Sequence, residues 1–343
     1  MEAILLAGGF GTRLRPLTYT RAKPLLPVLN KPMISYLIDA LPSEVDRVIL
    51  AVNYRKEQIE EFFKEYDCGR EVIVNDEPEP LGTGGAVKFA EQYITGKFFV
   101  LNSDIISSIN LHDMLRFHED KKAAATISLW PVENVAEFGV AKVEDDGRIT
   151  GFVEKPRPED APSNLINAGA YLLEPEVLDY IETGRLVSME KEIFPRIIED
   201  TGRFYGYRFD GYWIDIGRMK SYLYVNEFLL KHKGLNYLVG ENSSVDGELR
   251  NSVAGRNVII KGDSRVSSSI IFDNVVVDGD CVIEGSVIGE NTSIGRGCRI
   301  INTVIGDNES IDNYVELVDT NVWTQPIPEG YPEKQIGNVI GEN

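Results

Sequence analysis

Residues Ala3–Val28 read AILLAGGFGTRLRPLTYTRAKPLLPV. The run opens on Ala3–Leu6, a short apolar stretch that reads as a buried strand, and passes at once into a glycine-rich turn, Gly8-Gly9-Phe10-Gly11. Glycine lets backbone N–H groups approach a ligand closely, and such groups bind phosphate oxygens well. Arg13 follows two residues after the turn, and Lys23 stands before a Pro-rich stretch, so two cations are at hand for a polyanion. A bare GGxG is equally a hairpin with two solvated cations; the whole run is more specific. It misses the P-loop, which needs G-x-x-x-x-G-K-[ST]. It also misses the dinucleotide fingerprint G-x-G-x-x-G, because Gly9 and Gly11 are followed by Leu14. An ATPase and a dehydrogenase are both disfavoured, and a site for a nucleoside triphosphate is indicated.

The chain has 343 residues, which suggests two domains. Hydrophobic residues make up 43% and charged residues 26%, enough for a sizeable core in a globular protein. The net charge of -19 argues against nucleic acid or an anionic membrane as a partner. A phosphorylated substrate then needs a local cationic pocket or a metal, with Arg13, Lys23 and Lys155 as candidates. Cys68, Cys281 and Cys298 are odd in number and form no C-x-x-C, so reduced thiols are expected. No charged segment followed by an apolar run opens the chain, and a cytoplasmic protein is expected.

Up to about residue 130, apolar strands alternate with helical patterns. Ala3–Leu6, Arg47–Val52 and Phe98–Leu101 read as strands; Ile34–Leu41, Glu57–Glu65 and Gly85–Tyr93 read as helices. This alternation predicts an α/β domain with a mostly parallel sheet covered on both faces. Ligands of such sheets bind beyond the carboxyl ends of the strands. The glycine turn and Asp104 both follow strands, so they fall on one edge. Residues from about 130 to 216 read as a substrate-facing lobe, and Met219–His232 as an amphipathic connecting helix. From about Tyr237 aliphatic residues recur six apart at Val276, Val282, Ile288, Ile294 and Ile300, slip by one at Ile305, and continue through Ile311 and Leu317. Period six with Gly/Asp/Asn turns predicts a parallel β-helix with about eighteen residues per coil. The expected domains are therefore 1–232 and 233–343.

The opening run resembles the signature G-x-G-T-R-[LM]-x-P-L-T…P-K-P-L of sugar-1-phosphate nucleotidyltransferases, with Ala22 replacing the first proline of P-K-P. The resemblance extends through Glu79–Gly85, Phe99–Asp104, Phe152–Pro156, Ile166–Gly169, Met189–Pro195 and Trp213–Gly217. Its wording is nearest to short eukaryotic and archaeal mannose-1-phosphate guanylyltransferases. It implies a Rossmann-like nucleotidyltransferase domain followed by a left-handed β-helix of hexapeptide repeats. It implies that Leu6, Ala7, Gly8, Gly9, Gly11, Thr12, Arg13 and Lys23 wrap the triphosphate. Glu79, Leu81, Gly82 and Thr83 would line the nucleobase pocket, their small residues letting the backbone approach a flat ring.

By the same resemblance Asp104 and Asp215 would hold Mg2+, with Arg13, Lys23 and Asp104 as catalytic residues. Mg2+ prefers one or two carboxylates plus phosphate and water. Taken alone, Asp215 between apolar neighbours is equally a structural ion pair. Glu154 and Lys155 would contact sugar hydroxyls and sugar phosphate. In an extended segment adjacent side chains point opposite ways, which would place them on two parts of one substrate. Gly139 would offer backbone groups and Asn167 an amide that donates and accepts. Glu77 and Glu79 are both candidates to accept from guanine N1–H and amino groups.

The implied reaction joins GTP and mannose 1-phosphate to give GDP-mannose and pyrophosphate. Uridylyl or thymidylyl transfer to glucose 1-phosphate remains an alternative, as does a catalytically silent paralogue. An acyltransferase activity of the β-helix would use a histidine base. His112, His118 and His232 all precede the repeats, which disfavours it. The open ends of a β-helix invite pairing, so a homo-oligomer is expected.

Overall fold

A computed structural model of the chain describes residues 1–332 and the backbone of 339–340. The chain forms two compact units. One holds residues 1–9 and 34–214; the other holds residues 10–33 and everything from 215 onward.

The first unit is built on a nine-stranded sheet. Its centre is Glu2–Leu6, which pairs in parallel with Arg47–Val52 on one side and Phe98–Asn102 on the other. Glu71–Asp76 adds a further parallel strand beyond Arg47–Val52. Polar residues at Glu71, Asn75 and Asp76 hide that strand from an apolar-run reading. Leu165–Leu173 joins antiparallel to Phe98–Asn102 and carries the remaining strands: Gly139–Val143, Ile149–Glu154, Ala125–Pro131 and Phe204–Arg208. The lobe after residue 130 thus extends the main sheet. Ile4, Leu5, Ile49, Leu50 and Val100 are fully buried, as strands covered on both faces require. Helices Met33–Ala40, Lys56–Glu65 and Leu111–Lys121 lie between the strands in sequence. The helix expected from Gly85 begins at Gly82, runs to Phe89, and is followed by a separate 3-10 turn at Glu91–Tyr93.

In the second unit Met219–His232 is one helix, and after it come three stacks of short parallel strands, the arrangement of a left-handed β-helix. Val253 pairs with Ile270, Ile270 with Val287, and Val287 with Val304, so each coil takes 17 residues and not eighteen. The slip seen at Ile305 recurs in every coil. Inward residues follow a 6-6-5 rhythm: Ala254, Ile260, Val266, Ile271, Val277, Ile283, Ile288, Ile294, Ile300, Ile305. The expected frame is one residue early at two places. Val277 and Ile283 are fully buried, whereas Val282 is 37% exposed. Adjacent β-branched residues at Val276-Val277 and Val282-Ile283 hide which member faces inward.

The corners need left-handed backbone, which Asn and Asp tolerate better than other chiral residues. Asn257, Asn274, Asn291 and Asn308 occupy one corner with φ near 55–62°. Each of the first three donates its side-chain amide to the next one's carbonyl, at 2.9, 3.0 and 3.1 Å. Cys281 and Cys298 are buried free thiols whose Sγ atoms donate to the Gly295 and Asp312 carbonyls.

The 6-6-5 frame has a direct check. Ile283→Ala should lower stability by about 2–5 kcal/mol, the usual cost of emptying a filled core site. Val282→Ala should change it by about 0.5 kcal/mol. Denaturant unfolding of the two variants compares them; equal losses would contradict the assigned register.

Candidate functional site

The carboxyl ends of the parallel strands surround a cavity of about 340 Å3 in the first unit. Leu6, Gly8 and Gly9 form its glycine-turn side, Ala51 and Asn53 stand at the end of Arg47–Val52, and Glu77 follows Glu71–Asp76. Asn102 and Asp104 come from the end of Phe98–Asn102, and Gly82, Thr83 and Ala86 from the helix Gly82–Phe89, with Leu81 just before it. Parallel pairing makes this gathering unavoidable, because each strand delivers its loop to the same edge. Ala7 is buried, its amide donating to the Ala51 carbonyl at 2.9 Å.

Of the two acidic candidates, Glu77 reaches the cavity and Glu79 is exposed outside its lining. Glu77 is 6% exposed and accepts a hydrogen bond from the Leu81 amide at 3.3 Å. Burial pushes its carboxyl pKa up, and the Leu81 N–H pulls against that shift.

The small residues after Leu81 serve the chain itself. A Cβ on Gly82 would lie 2.6 Å from the Val187 carbonyl oxygen, and one on Gly85 would lie 2.6 Å from that of Arg185. The Gly84 amide donates to the Val187 carbonyl at 2.8 Å, and the Val187 amide to Leu81 at 2.9 Å. The close approach these glycines permit includes that of Arg185–Val187.

Thr83 opens a polar chain absent from the expected roles. Its hydroxyl donates to Glu190 Oε2 at 2.8 Å and accepts from the Met189 amide at 2.9 Å. Glu190 Oε1 accepts from the buried Tyr171 hydroxyl at 3.1 Å, and Tyr171 accepts from Asn167 Nδ2 at 2.9 Å. Asn167 Oδ1 takes the Gly169 amide at 3.0 Å. Both functions of the Asn167 amide are therefore engaged within the chain. Glu190 sits in a π-helical turn, Met189–Ile193, a distortion that often marks functional positions. Only its place in the Met189–Pro195 motif signalled it in sequence.

Glu154 closes its strand, and Lys155 follows with φ 51°, a left-handed backbone that breaks the alternation expected of an extended pair. The Lys155 amide donates to Phe138 at 2.9 Å, fixing the bend. Lys155 Nζ consequently lies 3.8 Å from Glu154 Oε1, on the same side and not the opposite one. Glu154 is the more buried partner; burial first, then the charge of Glu190, raises its pKa. Gly139 permits this geometry, since a Cβ there would lie 2.4 Å from Phe152 Cζ and 2.7 Å from Glu154 Oε2.

Gly11, Thr12, Arg13, Lys23 and Asp215 belong to the second unit. Gly11, with φ 67°, starts a 3-10 turn at Thr12–Leu14, and Thr12 and Arg13 are exposed. A Cβ on Gly11 would lie 2.8 Å from Thr18 Cγ2 and 3.2 Å from Lys23 Cβ. Lys23 is buried at the start of the turn Lys23–Leu25, which forms with Ala22 in place of proline. Arg13 and Asp215 meet around Gly217, where a Cβ would lie 3.1 Å from Arg13 Nη2 and 3.2 Å from Asp215 Oδ1. Among the described residues no three His, Cys, Asp or Glu side chains cluster as a metal cage. A carboxylate such as that of Asp215 is a donor of the kind Mg2+ takes beside phosphate and water. Among the described residues, no helix is long and apolar enough to cross a membrane.

Comparison with known proteins matches this architecture. The nucleotidyl transferase family model covers residues 2–232, and the GMPPB C-terminal domain model covers residues 235–327. Mannose-1-phosphate guanylyltransferase 1 of Arabidopsis thaliana is 44% identical over 231 residues, 65% of this chain and 63% of that protein. The mannose-1-phosphate guanylyltransferase catalytic subunit beta of Danio rerio is 43% identical over 230 residues, with the same shares. The match thus spans less than two thirds of these relatives' length. Among solved structures, HddC from Yersinia pseudotuberculosis complexed with GMP-PN is 30% identical, with TM-score 0.55, over 66% of this chain and 99% of that one. A Bacillus anthracis structure at 23% identity and TM-score 0.61, covering 66% of this chain and 94% of its own, shares the fold. With the family model spanning well over half its length, this chain belongs to the nucleotidyl transferase family.

Proposed function

We propose that the protein transfers a guanylyl group from GTP to mannose 1-phosphate, releasing pyrophosphate and GDP-mannose. The observation that carries this reading is the strand-end cavity, which places the glycine turn, the buried Glu77 and Asp104 around one space. The names of the relatives, and GMP-PN in the HddC structure, favour guanine. Guanine offers two adjacent donors, N1–H and the amino group, which suit one carboxylate; uracil and thymine offer one N–H between two carbonyls. Glu77 takes that role better than Glu79, because it is buried and faces the cavity.

The reaction follows from positioning and charge. An oxygen of the sugar phosphate attacks the α-phosphorus in line, and the bond to the bridging oxygen of pyrophosphate breaks. The attacking oxygen is already anionic, so no general base is required. Backbone amides of Gly8, Gly9, Gly11 and Thr12, following Leu6 and Ala7, hold the triphosphate, while Arg13 and Lys23 offset charge on the departing pyrophosphate. Leu81, Gly82 and Thr83 pack the base. Lys155 holds the sugar phosphate and Glu154 the ring hydroxyls, with Gly139 and Asn167 shaping their surroundings. Asp104 and Asp215 are the ligands we assign to Mg2+, which when bound neutralises and orients the α-phosphate.

The free thiols suit a reducing, cytoplasmic setting. For the β-helix we propose a role in self-association, since a stack of strands offers edges that a second copy can cover.

Pyrophosphate release over a grid of nucleoside triphosphates and sugar 1-phosphates tests the reading. The strongest signal should come from GTP with mannose 1-phosphate; silence with every pair would sink it. In the same assay Asp104→Ala should lose about a thousandfold or more, since charge stabilisation at the metal is worth several kcal/mol.

Glu77→Gln should lower kcat/KM for GTP by about 10- to 100-fold, the loss of a charged hydrogen bond. A second effect of Glu77→Gln is on stability. A carboxyl whose folded pKa is raised favours folding most below its unfolded pKa, and that contribution is lost as pH rises through the folded value. The unliganded Glu77→Gln variant should therefore gain in Tm over the parent as pH climbs through the carboxylate range. A difference independent of pH would contradict the burial argument.

A further inference from the structure

The Phe10-Gly11 end of the glycine loop is held by the segment that follows the β-helix. Tyr331, 5% exposed, donates its hydroxyl to the Phe10 carbonyl at 3.0 Å and lies 2.8 Å from the Thr18 hydroxyl. Thr18 reaches the Gly11 carbonyl at 3.0 Å. Two hydroxyls thus share their protons among three contacts, all on or beside Phe10-Gly11. The ring of Tyr331 meets Phe10 edge-on at 5.9 Å and Tyr19 at 5.0 Å. The Arg15 guanidinium stacks over it at 4.9 Å, and Arg15 Nη2 donates to the Pro332 carbonyl at 2.6 Å.

The clasp is itself fixed. The Thr324 amide and hydroxyl both donate to Glu309, at 2.8 and 2.7 Å, and Gln325 donates to the Asp307 carbonyl at 2.7 Å. Trp323 packs on Tyr19 with ring centroids 5.1 Å apart. A glycine-rich turn has many conformations of similar energy. Gly11 sits at φ 67°, and the carbonyls of Phe10 and Gly11 are the groups whose direction decides where the neighbouring amides point.

We infer that Tyr331, acting with Thr18, is a positioning residue for the nucleoside triphosphate: it fixes the glycine loop in one conformation before the nucleotide arrives. The inference rests on the reading that this loop takes the triphosphate. A preset loop spares the nucleotide the cost of ordering it, so the effect falls on nucleotide affinity and not on the acceptor.

The test compares full-length Tyr331→Phe, Thr18→Val and the double variant with the parent protein. Tyr331→Phe keeps the ring contacts and removes only the hydroxyl. KM for GTP should rise about three- to tenfold, the scale of one or two net hydrogen bonds. KM for mannose 1-phosphate and Tm should stay near the parent values. Thr18→Val should give a similar rise, and the double variant should add little to either single change, because both act on one network. Hydrogen exchange of the unliganded protein should show faster exchange at residues 10–14 in each variant. An unchanged KM for GTP together with unchanged exchange would overturn the inference, as would equal rises in both KM values with a fallen Tm. If the parent lacks turnover with every pair, the proposed function fails; exchange at residues 10–14 then decides the positioning role alone.

Discussion

Everything at the candidate site depends on the parallel pairing of Glu2–Leu6 with both of its neighbours. Parallel strands must each return over the face of the sheet before the next one starts. Their carboxyl ends therefore share an edge, and the loops that leave that edge supply Gly8-Gly9, Asn53, Glu77 and Asp104. A cavity of modest size then acquires amide donors, a buried carboxylate and a half-exposed one from four distant stretches of sequence. The fully buried strands beneath it form a rigid base that holds these groups in fixed relation.

Around that edge, most of the polar side chains are committed to one another. The run Asn167–Tyr171–Glu190–Thr83 joins the motif read as a sugar contact to the helix read as a base contact. A buried network of this kind, fully satisfied, specifies one arrangement of its members. Glu154 lies close enough to Glu190 for its ionisation to be opposed by that charge. The left-handed turn at Lys155 brings lysine and glutamate together at the same place.

Much of this was legible in the sequence, for reasons that can be named. Short apolar runs at Ala3–Leu6, Arg47–Val52 and Phe98–Leu101 marked three of the parallel strands to within a residue at either end, and the pattern from Met219 to His232 marked its helix to the residue. Glu71–Asp76 escaped because its polar residues resemble a loop. The β-helix was visible, but its frame was not. Pairs such as Val282-Ile283 put a β-branched residue on both faces, and periodicity alone cannot choose between them. The bend at Lys155 carries no glycine to announce it. The partners of Gly82, Gly84 and Gly85 lie about a hundred residues away, in Arg185–Val187, so nothing local identified them.

The β-helix also serves as a measuring rod for the segment from Phe10 to Asn30. Asn30 donates to the Ala254 carbonyl at 2.7 Å, near the first coil. Arg21 stacks on Phe272 and pairs with Glu290 and Asp307 on the coils that follow. Tyr19 meets Trp323 and Phe10 meets Tyr331 beyond the last coil. The chain of the loop thus runs backward along the stack while the coils run forward. Stacked strands are about 4.8 Å apart. One extra coil in the middle would carry Tyr331 that far from Phe10, beyond hydrogen-bonding reach, while leaving the β-helix itself intact. The number of coils is therefore set by the length of a loop more than two hundred residues upstream, and the two lengths can change only together.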